Sequence, residues 1–358
     1  MVIIMGKRIT YQDIADRVGV SKSTVSLAFC DSKKLSDQTV AKVMAAAQEL
    51  GYSQDPAARM LRTRRTNSIG ILLPQQLDRV LENPYYSLFL QGVGSVCQRE
   101  GLTLLLVPPL KGSMLKAIPY AAVDGFIVCG LEEDRGEVLA LRQRGVPTVM
   151  VDGEDHDGFS SIGVRESDGT SQLMRHLLRL GHRRFAFVAI QTDKGDDVST
   201  WRGSVRKRID TIAAVLSEEG LALDSPGISV LQVPCTREGG ASAFDRVWAA
   251  DKPTAIVAFS DIIALGVLDA AHRSGVSVPG HVSVSGFDDI GDAASARPSL
   301  TTVHQPIASK GRLAAEFLVD EMARTEREVR RESLEASLLV RESTGPVRLA
   351  GQAASLSR

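Results

Sequence analysis

Thr10-Tyr11-Gln12-Asp13-Ile14-Ala15-Asp16-Arg17-Val18-Gly19-Val20-Ser21-Lys22-Ser23-Thr24-Val25-Ser26 reads as two short helices joined by a tight turn. Thr10 followed by Asp13 is a variant of the capping box, and Tyr11, Ile14, Ala15 and Val18 recur at helical spacing. Gly19-Val20 supplies the turn. Ser21 can then accept an amide hydrogen bond as the cap of a second helix carrying Val25, Ala28 and Phe29 inward. Ser36 caps a third helix with an apolar stripe of Val40, Val43, Ala47 and Leu50, ended by Gly51. Three short helices with a glycine-containing turn between the first two are the helix-turn-helix pattern. The outward faces of the second helix carry Lys22, Ser23, Ser26 and Leu27. One cation, two hydroxyls and an apolar group for a thymine methyl suit a major groove. A small helical bundle with no DNA role is the alternative reading.

The charge distribution points the same way. The net charge is −1 over 358 residues, yet residues 1–66 hold eleven Lys/Arg against six Asp/Glu, and the remainder 31 against 37. A basic end on an acidic body fits a nucleic-acid-binding head, because Lys and Arg at phosphates release condensed counterions. Residues 55–66 add Arg59, Arg62, Arg64 and Arg65, spread too widely around one short helix to form an apolar docking face. Such a helix is too short to be stable alone and is expected to order against a partner and DNA, as a hinge.

With 44% apolar residues the chain can bury a sizeable core in two or three domains. Cys30, Cys97, Cys129 and Cys235 lie far apart with no C-x-x-C pair, which signals neither a disulfide framework nor a zinc site. A reducing cytoplasm is expected. Met1-Val2-Ile3-Ile4-Met5 stops at Gly6-Lys7-Arg8, short of a signal h-region or a membrane span.

From Ile69 onward, β-rich runs alternate with helical patterns. The runs 68–73, 103–107, 125–129 and 148–151 read as buried parallel strands, and 185–189, 228–231, 255–259 and 282–286 repeat the rhythm. Two α/β subdomains are expected, with a ligand cleft at the carboxyl ends of their strands. Enzyme motifs fail. Gly92-Val93-Gly94-Ser95-Val96-Cys97 lacks the third glycine of a dinucleotide fingerprint and sits in a helical pattern, and there is no P-loop or G-x-S-x-G elbow. The six histidines are scattered without H-E-x-x-H spacing and are expected at the surface or at caps, so no catalytic residue, metal or cofactor is expected.

Ten segments in order resemble the lactose-repressor (LacI/GalR) family of bacterial transcription regulators. They are Asp13-Ile14-Ala15 through Val18-Gly19-Val20-Ser21, Thr24-Val25-Ser26, Leu50-Gly51-Tyr52, Ala58-Arg59 with Leu61-Arg62, Asn83-Pro84-Tyr85-Tyr86, Leu180-Gly181-His182-Arg183-Arg184, Val278-Pro279, Gly286-Phe287-Asp288-Asp289, Pro298 through Gln305-Pro306, and Val340-Arg341-Glu342-Ser343-Thr344. The resemblance implies a helix-turn-helix head with a hinge helix on a periplasmic-binding-protein-like body of two parallel-sheet subdomains. The expected bounds are 7–54 for the head, 55–66 for the hinge, 67–344 for the body and 345–358 for a tail.

The resemblance also implies roles. Leu61 matches the hinge leucine that wedges into the minor groove of a palindromic operator. The expected DNA-contacting set is Thr10, Ser21, Lys22, Ser23, Thr24, Ser26, Leu27, Ala58, Arg59, Leu61 and Arg62. The expected effector set is Tyr86, Asp152, Arg208, Ser260 and Asp288, for a sugar or related polar metabolite. Without the resemblance, Tyr86 is equally a core aromatic, Arg208 a surface cation and Asp288 a strand-end cap. Arg165-Glu166 stands where many members have Asp-Asn, Leu27 where many have arginine, and Gln54 where proline is usual, so neither sugar specificity nor operator sequence transfers. A tail without leucine heptads predicts a homodimer rather than a coiled-coil tetramer. Two other readings are a sugar-binding protein of the same body fold, which has no use for residues 7–66, and an α/β enzyme, which needs a reactive centre.

Overall fold

Residues 9–53, 60–61, 63–131, 136–192, 195, 197–324 and 328–347 are described by a computed structural model. The chain divides into two compact units at Thr66/Asn67.

In the first unit, α1 (Tyr11–Val18), α2 (Lys22–Cys30) and α3 (Asp37–Glu49) form the three-helix head. The caps are the ones the sequence announces. Thr10 and Asp13 make the reciprocal capping box on α1, and Gly19, at φ +75°, ends that helix in the left-handed region where a side chain would be strained. Ser21 Oγ accepts from Thr24 N at 3.0 Å to start α2. Ile14, Ala15, Val25, Ala28, Val43, Ala46 and Ala47 close the small core. Phe29 is half-buried and stacks on Tyr11 with ring centroids 5.3 Å apart, a layer completed by Tyr52.

Ser36 Oγ accepts from Thr39 N at 3.3 Å and caps α3. Ser36→Ala should cost about 1 kcal/mol. Amide exchange of α3 in the full-length protein should then accelerate about fivefold, while exchange in the body stays unchanged.

The second unit holds two sheets. The first is built from β1 (Ser68–Leu72), β2 (Thr103–Val107), β3 (Gly125–Cys129), β4 (Thr148–Val151), β5 (Ser160–Val164) and the distant β11 (Arg331–Leu334), in the order β11-β5-β4-β3-β1-β2. The second contains β6 (Phe185–Ile190), β7 (Ile228–Val233), β8 (Ala255–Ala258), β9 (Ser283–Asp288), β10 (Thr301–His304) and β12 (Ser337–Leu339), in the order β12-β10-β9-β8-β6-β7. All pairings are parallel except β12 against β10. Continuous apolar runs such as Phe126-Ile127-Val128 are buried on both faces, as parallel strands covered by helices must be.

The connecting helices run in chain order as α4 (Leu77–Glu82), α5 (Pro84–Glu100), α6 (Met114–Ala117), α7 (Glu137–Arg144), α8 (Glu166–Arg179), α9 (Gly203–Glu218), α10 (Arg237–Ala250), α11 (Asp261–Arg273), α12 (Gly291–Ser295) and α13 (Ile307–Ala323). Helix α13 leaves the second lobe and packs on α5 of the first. The two backbones meet at Gly92 and Gly311, where an added methyl group would run into the carbonyls of Ala308 and Phe89. The chain therefore changes lobes three times, at Arg165, between His304 and Ile307, and at Glu335-Ala336.

The sequence reading missed β5, β10, β11 and β12. It also ended the 282–286 run too early, since β9 extends through Asp288. One histidine departs from the expected surface or cap position. His182 is buried, with its ring nitrogens 3.0 Å from Thr254 Oγ1, Ser283 Oγ and the Gly345 carbonyl oxygen. Gly345 and Val347 are thereby tied to the second lobe, Val347 N donating to the Leu180 carbonyl oxygen.

Candidate ligand cleft and candidate nucleic-acid surface

Each sheet reverses its strand order beside its central strand, β1 in one and β6 in the other, and loops diverge there to leave a crevice at the carboxyl ends. The two crevices face one cavity of about 390 Å³. Its wall takes Pro74 and Gln75 after β1, Cys129 and Gly130 at the end of β3, and Asp152 after β4. The other lobe adds Gln191 after β6, Cys235 after β7, Ser260 after β8, Asp288 at the end of β9 and Gln305 after β10. All five residues expected to hold an effector, Tyr86, Asp152, Arg208, Ser260 and Asp288, line this one cavity.

Local sequence aims them. Asn83 caps α5, its Oδ1 accepting from Tyr85 N at 3.0 Å, and Pro84 opens the helix, which turns Tyr85 and Tyr86 into the cleft. Asp152 and Asp288 sit at φ +54° and +128°, positions where a non-glycine backbone is held against its preference. Trp201 is fully buried, and both its indole N–H and Gln232 Nε2 donate to the Gly195 carbonyl oxygen, at 3.1 and 2.7 Å.

Arg208 is buried and fully engaged on one side. Its Nε donates to Glu166 Oε2 at 2.7 Å and one terminal nitrogen to Glu166 Oε1 at 3.4 Å, while the other donates to the Phe259 carbonyl oxygen. The guanidinium lies over the Phe287 ring, 3.4 Å from its centroid. Burial, the largest single effect, pulls the Arg208 pKa down, but the carboxylates of Glu166, Asp288 and Asp152 together outweigh it and hold the group above its usual value.

Across the cleft runs a polar chain between lobes. Tyr85 Oη donates to Asp152 Oδ2 at 2.6 Å, and the fully buried Lys310 Nζ donates to Asp152 Oδ2 at 2.6 Å, to Gln305 Oε1 at 2.6 Å and to Tyr85 Oη at 3.2 Å. Gln305 Nε2 then donates to Asp288 Oδ1 at 2.6 Å, and Ser260 Oγ to Asp288 Oδ2 at 2.8 Å. Two further polar contacts join the lobes. Gly203 N, at the start of α9, donates to Glu154 Oε1 at 2.9 Å, and Asn83 Nδ2 approaches Cys235 Sγ at 3.7 Å.

Glu166, Gln305, Lys310 and Tyr85 are absent from the expected set. One signal for Lys310 was available: a charged residue interrupts the apolar stripe Ile307, Gly311, Ala314, Leu318, and a cation there needs a buried partner.

Burial pushes the Asp288 carboxyl up to about 6 against the pull of Arg208, Ser260 and Gln305. Asp261, fully buried beside it and accepting from Ile290 N and Thr302 Oγ1, is pushed up to about 8 by burial and then by Asp288. His182 is lowered to about 4 by burial, so its folded form is neutral above pH 7, and its unfolded form, with a pKa of about 6.5, keeps only a minor protonated fraction there. Between pH 7 and 8 the unfolded chain has already lost the Asp261 proton, near pH 4, and the folded chain is still losing it. Stability should therefore fall as pH rises through that window. Urea unfolding should register this slope, and Asp261→Asn should flatten it.

In the head, Ser21, Lys22 and Ser23 are exposed at the start of α2, Thr24, Ser26 and Leu27 are half-buried, and no acidic side chain sits in its first turn. The Ser21 hydroxyl lies 2.7 Å from Ser23 Oγ and 2.8 Å from Thr24 Oγ1, a small hydroxyl cluster at the positive end of the helix dipole. Thr10 is exposed at the start of α1. Of the hinge set, Leu61 is helical and 80% exposed, whereas Ala58, Arg59 and Arg62 lie outside the described residues.

Residues 10–55 match the description "bacterial regulatory proteins, lacI family", and residues 174–344 match a periplasmic binding protein-like domain. An HTH-type transcriptional regulator of Mycolicibacterium smegmatis is 31% identical over 332 residues, spanning 87% of this chain and 90% of the relative. The chain belongs to the LacI family. As a LacI-family protein it is a transcriptional regulator and not an enzyme. The transcriptional regulator CelR, solved as a cellobiose complex, is 28% identical, with a TM-score of 0.68 over 94% of this chain and 100% of that one. The lac repressor dimer bound to operator and an anti-inducer shares the LacI fold at 24% identity, with a TM-score of 0.77 over 95% of this chain and 100% of its own. Among the described residues no helix is long and apolar enough to cross a membrane, and no cluster of three metal-ligating side chains occurs.

Proposed function

We propose that this regulator is a cytoplasmic repressor that binds a palindromic operator as a homodimer, and that a sugar or related polar metabolite held in the cleft switches that binding. The observation that carries the reading is the convergence of Tyr86, Asp152, Arg208, Ser260 and Asp288 on one cavity between two lobes, in a chain whose other unit is a helix-turn-helix head. An effector that bridges the lobes fixes their spacing, and only a ligand that prefers one spacing can bias DNA affinity. The cellobiose complex of CelR supports a carbohydrate-class ligand, and the operator-bound lac repressor dimer supports a two-fold assembly.

A two-fold dimer also suits a small head, because two heads read two half-sites. The edge strand β2, with Leu105 40% exposed and Leu104 and Leu106 half-buried, offers an uncovered apolar border to a partner. Action on DNA and four free cysteines support the cytoplasm.

The test is a gel shift with palindromes upstream of the gene. A retarded, salt-sensitive complex that one metabolite releases or strengthens is expected; no retardation by any of these sequences, at low salt and with a metabolite panel, would remove the reading. Exposed Leu61 acts as the minor-groove wedge, partly unstacking a base step. Leu61→Ala should weaken specific binding by ~1–3 kcal/mol, judged from the value of other single specific contacts. Unchanged binding of straight DNA would remove the wedge.

A further inference from the structure

The cations around the cleft are already matched. Lys310 has three ammonium protons and three acceptors, Asp152 Oδ2, Gln305 Oε1 and Tyr85 Oη, so no proton is left to donate. Arg208 gives two of its five N–H groups to Glu166 and a third to the Phe259 carbonyl oxygen. Its charge is balanced by the buried Glu166 carboxylate, which is not among the residues lining the cavity, and two N–H groups remain as donors. Arg202 lines the cavity from an exposed position, bonded to the carbonyl oxygens of Ser199 and Trp201, where water screens it.

The acceptors are not matched in the same way. Asp152 lines the cavity and its buried Oδ1 has no hydrogen-bond partner, and Asp288, whose two oxygens accept one bond each from Gln305 and Ser260, presents a second carboxylate from the opposite lobe. Counting groups in the wall and directly bonded to it, Glu137, Asp152, Glu166 and Asp288 stand against Arg202, Arg208 and Lys310 among the described residues. The site is thus rich in acceptors and has no uncompensated interior cation.

We infer that the cleft takes an effector without phosphate or carboxylate groups, a neutral or amino-bearing polyhydroxyl compound, and that Glu166 sets this preference by holding the charge of Arg208. The inference rests on the reading of the cleft as an effector site. A phosphate brought to Arg208 would compete with Glu166 for the guanidinium and meet Asp288 and Asp152 without a free counter-charge. A hydroxyl or ammonium instead donates to those carboxylates, and a hydroxyl accepts from the two spare Arg208 N–H groups.

Glu166→Gln keeps the side-chain shape and removes the charge, which turns Arg208 outward electrostatically. Calorimetric titration of the full-length protein with inorganic phosphate at constant ionic strength should give no binding for the native chain. Glu166→Gln should bind at least about tenfold more tightly, since a charge-assisted pair replaces one already satisfied. The gain should vanish in Glu166→Gln/Arg208→Met. Phosphate binding by the native chain as tight as by Glu166→Gln, or no gain in a folded Glu166→Gln, overturns the inference.

A second measurement needs no variant: thermal shifts of the native protein with paired hexoses, their amino derivatives and their phosphate monoesters. A larger shift with the parent or amino sugar supports the inference, and a larger shift with any phosphate ester overturns it. A flat response to every pair removes the sugar reading of the effector, while the phosphate titrations still decide the charge rule.

Discussion

Methionine in place of Arg208 should destabilise the body by about 3–5 kcal/mol, because Glu166 would be left as a buried, unpaired carboxylate. Glu166 is only 4% exposed, and both of its oxygens accept from Arg208. The variant also loses the guanidinium stacked on Phe287 and the bond to the Phe259 carbonyl oxygen, which ties α9 to the end of β8. Urea unfolding measures the loss. Removing Glu166 as well, in Glu166→Gln/Arg208→Met, should recover part of it, since no unpaired carboxylate then remains at that position. A single substitution costing under about 1 kcal/mol would mean that water already reaches Glu166.

The second large effect is expected at Lys310. Lys310→Met keeps the length of the side chain but strands Asp152 and leaves Gln305 Oε1 and Tyr85 Oη without their donor. Asp152 is 19% exposed and lines the cavity, so water can partly replace the ammonium, and the cost should sit near the lower end of the range for a broken buried pair, about 3 kcal/mol. Asp152→Asn in the Lys310→Met background should restore part of the loss. Asparagine tolerates the left-handed backbone at this position, φ +54°, and carries no charge. The same denaturation curves check it: equal cost with and without Asp152→Asn would show that the charge of Asp152 is not what Lys310 balances.

The head was legible because its signals are local. Thr10 with Asp13, Gly19, and Ser21 with Thr24 each act within a few residues, and every one of these contacts forms as the spacing implies. The parallel strands were legible where both faces are buried, as in Phe126-Ile127-Val128. Strands β11 and β12 are short and carry exposed residues, which no run of apolar residues announces. The cleft was half legible. The resemblance located Arg208 and Asp288, but Arg208's partner lies 42 residues away, and Lys310 lies 158 residues from Asp152, so only the folded chain joins them. Glu166 stood out in the sequence only as a departure from Asp-Asn, with no sign of what it holds.

The three changes of lobe described above have a mechanical consequence. Neither lobe is a continuous stretch of chain, so no single cut, by a protease or by a gene truncation, separates them. Three tethers side by side also suppress sliding and twisting between the lobes and leave bending as the soft coordinate. A ligand of almost any shape that fits the cleft is therefore read out along one direction of motion, which lets the chemistry of the wall diverge while the signal keeps its form.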